Sequence, residues 1–313
     1  MRQTDFSRRG VLAVGAAAIG LTVAGEAAAA PFFAANDLPI GIQLYTFGPE
    51  GAKDLGGTLT AVKAMGYRAV EIPGFMGRSP AELKAALDRA GLVCPSAHIQ
   101  GRGGLDGDVG KLADDLNTIG VKHAVMPSPY VPDRIMKQMQ GVAGADFYRR
   151  ANAALTPEDW KWNADFLNQK AAALKKAGIA VGYHNHNFEF APNGGATGMD
   201  ILLAETDPSL VTFEADVGWM AAAGVDPAAY IGRHKGRFGL MHVKDLKAST
   251  KANYELRMDP TEVGAGRLDW KSLLPAAHAA GVRGFYVEQE PPFERSRAEA
   301  ARISHDYLAA LKA

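Results

Sequence analysis

From Leu38 onward the chain repeats one rhythm, a short apolar run followed by a longer amphipathic segment, eight times over. Strands that alternate with amphipathic helices build a parallel sheet, because each crossover helix buries its apolar stripe against the sheet. The strand candidates are Ile40 to Thr46, Ala69 to Ile72, Val93 to His98, Ala124 to Met126, Ala180 to Asn187, Val211 to Asp216, Phe238 to Val243 and Gly284 to Gln289. Punctuation marks helices between them. Ser79-Pro80 reads as an N-cap with a first-turn proline, Gly91 and Gly178 close helices, and Asp269 to Gly281 bounds another. Eight such units in about 280 residues fit a single (β/α)8 TIM barrel, whose usual length is about 250. A doubly wound sheet with a dinucleotide site has no support, since no strand candidate is followed by Gly-x-Gly-x-x-Gly.

Residues 1–30 stand outside this rhythm. Ser7-Arg8-Arg9-Gly10-Val11-Leu12 precedes an alanine- and glycine-rich apolar run and then Glu26-Ala-Ala-Ala-Ala30. The segment resembles a twin-arginine export signal cleaved near Ala29 and is short for a bilayer span. The expected organisation is therefore a signal over 1–30, read by the export machinery, and one barrel domain over 36–313 in a periplasmic or secreted protein. That route carries folded proteins, which suits one that takes up a metal beforehand. Formal net charge is zero, so no electrostatic footprint for a nucleic acid is present. The single cysteine, Cys94, rules out an internal disulfide framework or a thiolate cluster and reads as a core residue.

The ends of the last four strand candidates carry polar residues that an apolar sheet does not need. Ala180-Val-Gly-Tyr-His184-Asn-His186-Asn-Phe-Glu189 ends in two histidines, two amides and a carboxylate, and strand alternation puts His184 and His186 on one face. Val211 to Asp216 ends in an aspartate, Gly239-Leu-Met-His242-Val-Lys244-Asp245 in a histidine and a lysine, and Phe285-Tyr-Val-Glu288-Gln-Glu290 in two glutamates. In a barrel these ends meet at the C-terminal mouth, where active sites lie. His184, Asp216, His242 and Glu288 then form a mixed imidazole and carboxylate set suited to one divalent ion, Mn, Zn, Co, Fe or Mg. His186, Lys244 and Glu290, two positions on, double the pattern. A buried salt-bridge network is the bland alternative, since buried charges must be paired. Gln43, Tyr45, Glu71 and His98 fall at earlier strand ends as substrate-lining candidates, with Glu189 and with Trp219 as an apolar wall. The long connection Pro127 to about Thr156 is a candidate lid.

Gly41-Ile-Gln-Leu-Tyr45, Val70-Glu71, Asp216-Val-Gly-Trp219, His242-Val-Lys-Asp245, Val263-Gly-Ala-Gly-Arg-Leu-Asp-Trp270 and Val287-Glu288-Gln-Glu290 together resemble the xylose-isomerase-like TIM barrels of the sugar phosphate isomerase and epimerase superfamily. The resemblance implies one divalent metal held by Glu, Asp, His and Glu from four successive strands, with Asp216, His242 and Glu288 as the last three. The chain departs at the first, where His184 stands in the glutamate position of a Glu-Asn-His pattern.

The resemblance also implies the chemistry: proton abstraction beside a carbonyl, followed by isomerisation, epimerisation or elimination. Glu288, His186, Lys244 and Glu290 are the expected catalytic groups. An unphosphorylated keto sugar or polyol is the expected substrate, with no Gly-rich phosphate cradle present. Isomerase or epimerase is the first expectation, a 3-keto-glycoside lyase or dehydratase the second, and a non-catalytic sugar-binding barrel the third. A nuclease is disfavoured by the neutral charge. Oligomeric state is left open, with a homo-oligomer among the possibilities.

Overall fold

The computed structural model describes residues 30–313, so the expected export signal lies outside the described residues apart from Ala30. Eight parallel strands close into one barrel: β1 Gly41–Gln43, β2 Ala69–Ile72, β3 Val93–His98, β4 His123–Met126, β5 Ala180–His184, β6 Val211–Asp216, β7 Phe238–Val243 and β8 Gly284–Val287. Each strand pairs with its sequence neighbours, and β8 closes on β1 through Gly41 opposite Tyr286. A single (β/α)8 barrel is thus the fold.

The outer layer follows the expected punctuation. Helices α1 Leu55–Ala64, α2 Pro80–Ala90, α3 Val109–Ile119, α4 Pro157–Leu174, α5 Gly198–Glu205, α6 Pro227–Arg233, α7 Trp270–Ala280 and α8 Arg297–Ala310 surround the strands. Ser79, Thr156 and Thr197 each close a capping box on α2, α4 and α5, satisfying backbone N–H groups that the first turn leaves free. Gly91 and Gly281 end α2 and α7 in the left-handed conformation that glycine adopts without a Cβ penalty. Packing begins ahead of residue 36, with Phe33 edge-on to Phe285 at 5.6 Å. The connection expected as a lid carries two short helices, Asp133–Gln138 and Gly144–Ala153. Among the described residues no helix is long and apolar enough to cross a membrane.

Three strands are shorter than the sequence predicts. β1 stops at Gln43 and turns into a 3-10 helix, Leu44–Phe47, because the Gln43 side chain accepts the Tyr45 N–H. β8 stops at Val287. β5 stops at His184, where the Asn185 side chain replaces the ladder: it accepts the Asp216 N–H at 3.1 Å and donates to the Asp216 carbonyl at 3.2 Å. His186 therefore sits on a loop, and strand alternation does not set its direction.

The lumen is filled in layers of opposite character. Ala69, Val125, Leu240 and Tyr286 form a separate apolar cluster toward the N-terminal end. Two residues further along the same strands the inward positions are Glu71 on β2 and His242 on β7, and they begin the polar half.

Candidate active site

The polar half of the lumen has two levels. The lower one contains Glu71, His98, His184, Glu214 and the Nε2 edge of His242. Glu71 Oε2 lies 2.7 Å from His242 Nε2 and 3.2 Å from His98 Nε2. Glu214 Oε2 lies 2.9 Å from His98 Nε2, 3.0 Å from His184 Nδ1 and 3.1 Å from His242 Nε2. Gln43 donates to Glu71 Oε2 at 2.7 Å, and the Ser96 hydroxyl donates to its other oxygen. Burial acts to raise both glutamates, but the histidines outweigh it and hold them below the ordinary carboxylate range, Glu214 at about 2. His98 shows the reciprocal effect: burial opposes its charge, and Glu71 and Glu214 raise it to about 9.

The upper level is built around Lys244. Its Nζ lies 2.8 Å from Asp216 Oδ2, 2.7 Å from Glu288 Oε2 and 2.7 Å from Glu290 Oε1. Burial alone lowers a lysine, yet these carboxylates hold the ammonium well above its ordinary value. Asp216 divides its two oxygens between fold and site. Oδ1 caps the short helix Val217–Ala222 by accepting the Trp219 N–H at 2.9 Å, and Oδ2 faces the lumen. Glu288 Oε2 also meets His242 Nδ1 at 3.0 Å, so His242 presents one nitrogen to each level. Trp219 donates its indole N–H to Glu290 Oε1 at 3.2 Å, and Lys244 lies 5.2 Å from its ring centre.

Asp216, His242 and Glu288 bring two carboxylate oxygens and one imidazole nitrogen within 4.8 Å of one another. Their fit to a divalent ion rests on two observations. Asp216 Oδ2 is buried and faces only the Lys244 ammonium at 2.8 Å and the edges of His184 and His242 at 3.8 Å, so one of its lone pairs is left for an ion. Charge also counts: three carboxylates against one ammonium leave two negative charges, which one divalent cation neutralises. The N and O donors suit Mn, Zn, Co, Fe or Mg. His184, the fourth residue of the expected set, is placed differently. Its Nδ1 is on Glu214 and its Nε2 is 3.8 Å from Asp216 Oδ2.

The remaining candidates divide by exposure. His186 reaches the mouth, its ring stacked on Phe188 at 5.5 Å and edge-on to His184 at 4.9 Å. Burial, with Lys244 nearby, lowers it to about 3, so it is neutral. Tyr45 stands on the rim and His98 opens slightly toward the mouth. Gln43 and Glu71 are fully buried below it. Glu189 is fully buried too, accepting from Tyr183 Oη at 2.9 Å and from the His186 N–H at 2.8 Å, so it shapes the loop from beneath. Burial raises it to about 8. Glu214 is the residue that sequence reasoning passed over. Strand alternation from Asp216 puts it on the same inward face, one level down.

A family model described as xylose isomerase-like TIM barrel matches residues 59–311. The chain is 26% identical over 311 residues to the rhizopine catabolism protein MocC of Rhizobium meliloti, covering 90% of this chain and 92% of that one. It is 26% identical over 193 residues to an inosose dehydratase of Geobacillus kaustophilus, covering 60% of this chain and 61% of that enzyme, less than two thirds of its length. A sugar phosphate isomerase/epimerase from Parabacteroides distasonis superposes with a TM-score of 0.69 at 25% identity, over 87% of this chain and 93% of that one. The chain belongs to the xylose isomerase-like TIM barrel family, whose members are sugar-modifying enzymes.

Proposed function

We propose that this protein removes the proton beside the carbonyl of an unphosphorylated keto sugar or polyol-derived ketone, and that loss of a β-hydroxyl or β-linked group follows more readily than epimerisation. The observation that carries the reading is the group around Lys244, an ammonium held by three carboxylates at the mouth of the barrel.

Glu290 is the least occluded of these carboxylates, with 27% of its side chain exposed. It is the proton acceptor in this reading, oriented by Lys244 and the Trp219 indole. Lys244 donates toward the oxygen on which negative charge develops, and neutral His186 hydrogen-bonds a sugar hydroxyl. Asp216, His242 and Glu288 would hold a divalent ion, which supplies Lewis-acid polarisation of the substrate carbonyl when bound.

Epimerisation needs an acid and a base on opposite faces of the substrate. His184, in the position of the glutamate expected there, is 3% exposed with Nδ1 engaged by Glu214, so it offers no second shuttle. A syn elimination needs one face only: Glu290 takes the α proton and hands it to the departing β-oxygen, so that water or an alcohol leaves while Lys244 holds the enolate oxygen. The inosose dehydratase and MocC similarities support a polyol-derived ketone undergoing elimination. The net negative mouth disfavours a phosphorylated sugar by charge repulsion. Export by the twin-arginine route, with action outside the cytoplasm, belongs to the same proposal.

Product analysis with an inosose and a 3-keto-glucoside tests it. An unsaturated ketone, with released water or aglycone, is expected. Clean conversion to an epimer or to an aldose–ketose isomer would instead support the isomerase reading, for which the Parabacteroides similarity is the specific support.

A further inference from the structure

The lower level of the lumen is more than a support for the mouth. His98 Nε2, Glu214 Oε2, His242 Nε2 and Glu71 Oε2 form a closed ring with edges of 2.9, 3.1, 2.7 and 3.2 Å. Nitrogen and oxygen alternate around it. His184 Nδ1 joins from the side, 3.0 Å from the same Glu214 oxygen. One atom each from His98, His184, Glu214 and His242 lies within 4.8 Å of all the others.

Hydrogen bonding alone accounts poorly for this arrangement. An ionised carboxylate has about four lone-pair sites shared between its two oxygens, so three N–H donors distribute over both. Here His98 and His184 both hydrogen-bond Oε2 of Glu214 and His242 Nε2, bonded to Glu71, crowds the same oxygen at 3.1 Å, while Oε1 is buried without any partner among the described residues. Tetrahedral donors sharing an ion through bonds of about 2.0–2.2 Å sit about 3.3–3.6 Å apart, so the four atoms, already within 4.8 Å of one another, reach ligand spacing with small shifts. With its imidazoles deprotonated, as ligation requires, this group of two carboxylates and three histidines carries two negative charges, the complement of one divalent cation.

We propose that the barrel holds a second divalent-cation site beneath the mouth, with His98 Nε2, His184 Nδ1, His242 Nε2 and Glu214 Oε2 as ligands. The imidazole-rich donor set selects an ion of the zinc or cobalt class over magnesium or calcium. Glu71 stands beside it as a carboxylate partner, held by Gln43 and Ser96. His242 Nδ1 faces Asp216 and Glu288, so His242 joins this site to the mouth with one ring nitrogen to each. Entry is from the C-terminal end past His98, whose side chain is 12% exposed, because Ala69, Val125, Leu240 and Tyr286 close the other end. Binding displaces the protons that otherwise neutralise the ring, so affinity rises with pH.

The test is ion stoichiometry and the visible d–d spectrum of the full-length protein, stripped and titrated with Co²⁺, beside Glu214→Gln, His98→Asn and Asp216→Asn. Far-UV circular dichroism confirms folding of each variant. Wild type is expected to bind two ions per chain. Glu214→Gln and His98→Asn are each expected to lose one, with the loss of a tetrahedral-type absorption band. Asp216→Asn is expected to keep that band and one ion. A single ion in wild type, lost in Asp216→Asn and untouched by Glu214→Gln, would overturn the second site while leaving the mouth site intact. Should the Glu214 and His98 variants fail to fold, the ion retained or lost by Asp216→Asn decides alone.

Discussion

The two ends of the barrel lumen use the same strands for opposite purposes. Toward the N-terminal end the inward residues of β2, β4, β7 and β8 are Ala69, Val125, Leu240 and Tyr286, a buried apolar plug. Two residues along, β2 and β7 present Glu71 and His242, and just past β8 comes Glu288. The plug is stabilised by burial and needs no partner outside itself. The polar half is stable only because each charge meets an opposite one, since an unpaired buried charge costs several kcal/mol. One end therefore sets stability, and the other spends part of it on chemistry.

The comparison is sharpest at Lys244. Lys244→Met removes the only ammonium among Asp216, Glu288 and Glu290 and leaves three carboxylates facing one another. Activity is expected to fall by about 10²–10³, the cost of losing an oxyanion donor. Thermal unfolding should also show a loss of about 3–5 kcal/mol, the cost of stripping a buried charge of its partner. Wild-type turnover in this variant would break the assignment of chemistry to the upper level.

Leu240→Ala probes the opposite end. A stability loss of about 2–5 kcal/mol is expected from denaturant unfolding, as for other buried leucines. Its kcat/KM should stay within about threefold of wild type, because no polar group moves. A loss of activity as large as that of Lys244→Met would show the two ends to be coupled.

Glu189 lies between the extremes. Its carboxyl, raised by burial from an ordinary 4.5 to about 8, stays protonated in the folded chain where the unfolded chain ionises. The folded state binds the extra proton, so this contribution is fully present below pH 4.5 and is lost as pH rises through about 8. Glu189→Gln should flatten that slope in melting temperatures taken from pH 5 to 9. An unchanged slope would assign the pH dependence elsewhere. The smallest effect is expected at Ser79→Ala, about 1 kcal/mol of stability for the lost cap on α2, with turnover unchanged.

Much of this was legible in the sequence, and the failures have physical causes. The strand boundaries of β2, β3, β6 and β7 coincide with the apolar runs because each run is bounded by polar or glycine-containing turns. The end of β5 was not legible, since Asn185 replaces ladder hydrogen bonds with its amide and propensity does not reveal such a substitution. Glu189 reads as a lining residue from its neighbours, yet the 3-10 turn Phe188–Phe190 carries it beneath the loop, against Tyr183. Glu214 carried a readable signal, a carboxylate two residues before Asp216 on one strand face. It passes unnoticed when only the strand ends are searched. The convergence of His98, His184 and His242 on one Glu214 oxygen depends on barrel closure, which brings together residues 116, 30 and 28 positions apart from it in the chain.

The central claim, that the upper level of the lumen removes a proton beside a carbonyl, is tested most directly by solvent exchange. Wild type and Glu290→Gln are incubated with an inosose or a 3-keto-glucoside in deuterium oxide, and label at the carbon next to the carbonyl is followed by NMR. Enzyme-dependent deuterium incorporation or label-coupled elimination in wild type, reduced by about 10²–10⁴ in Glu290→Gln, is the expected result. Equal exchange in both, or turnover of the sugar without any exchange or elimination at that carbon, would contradict the account.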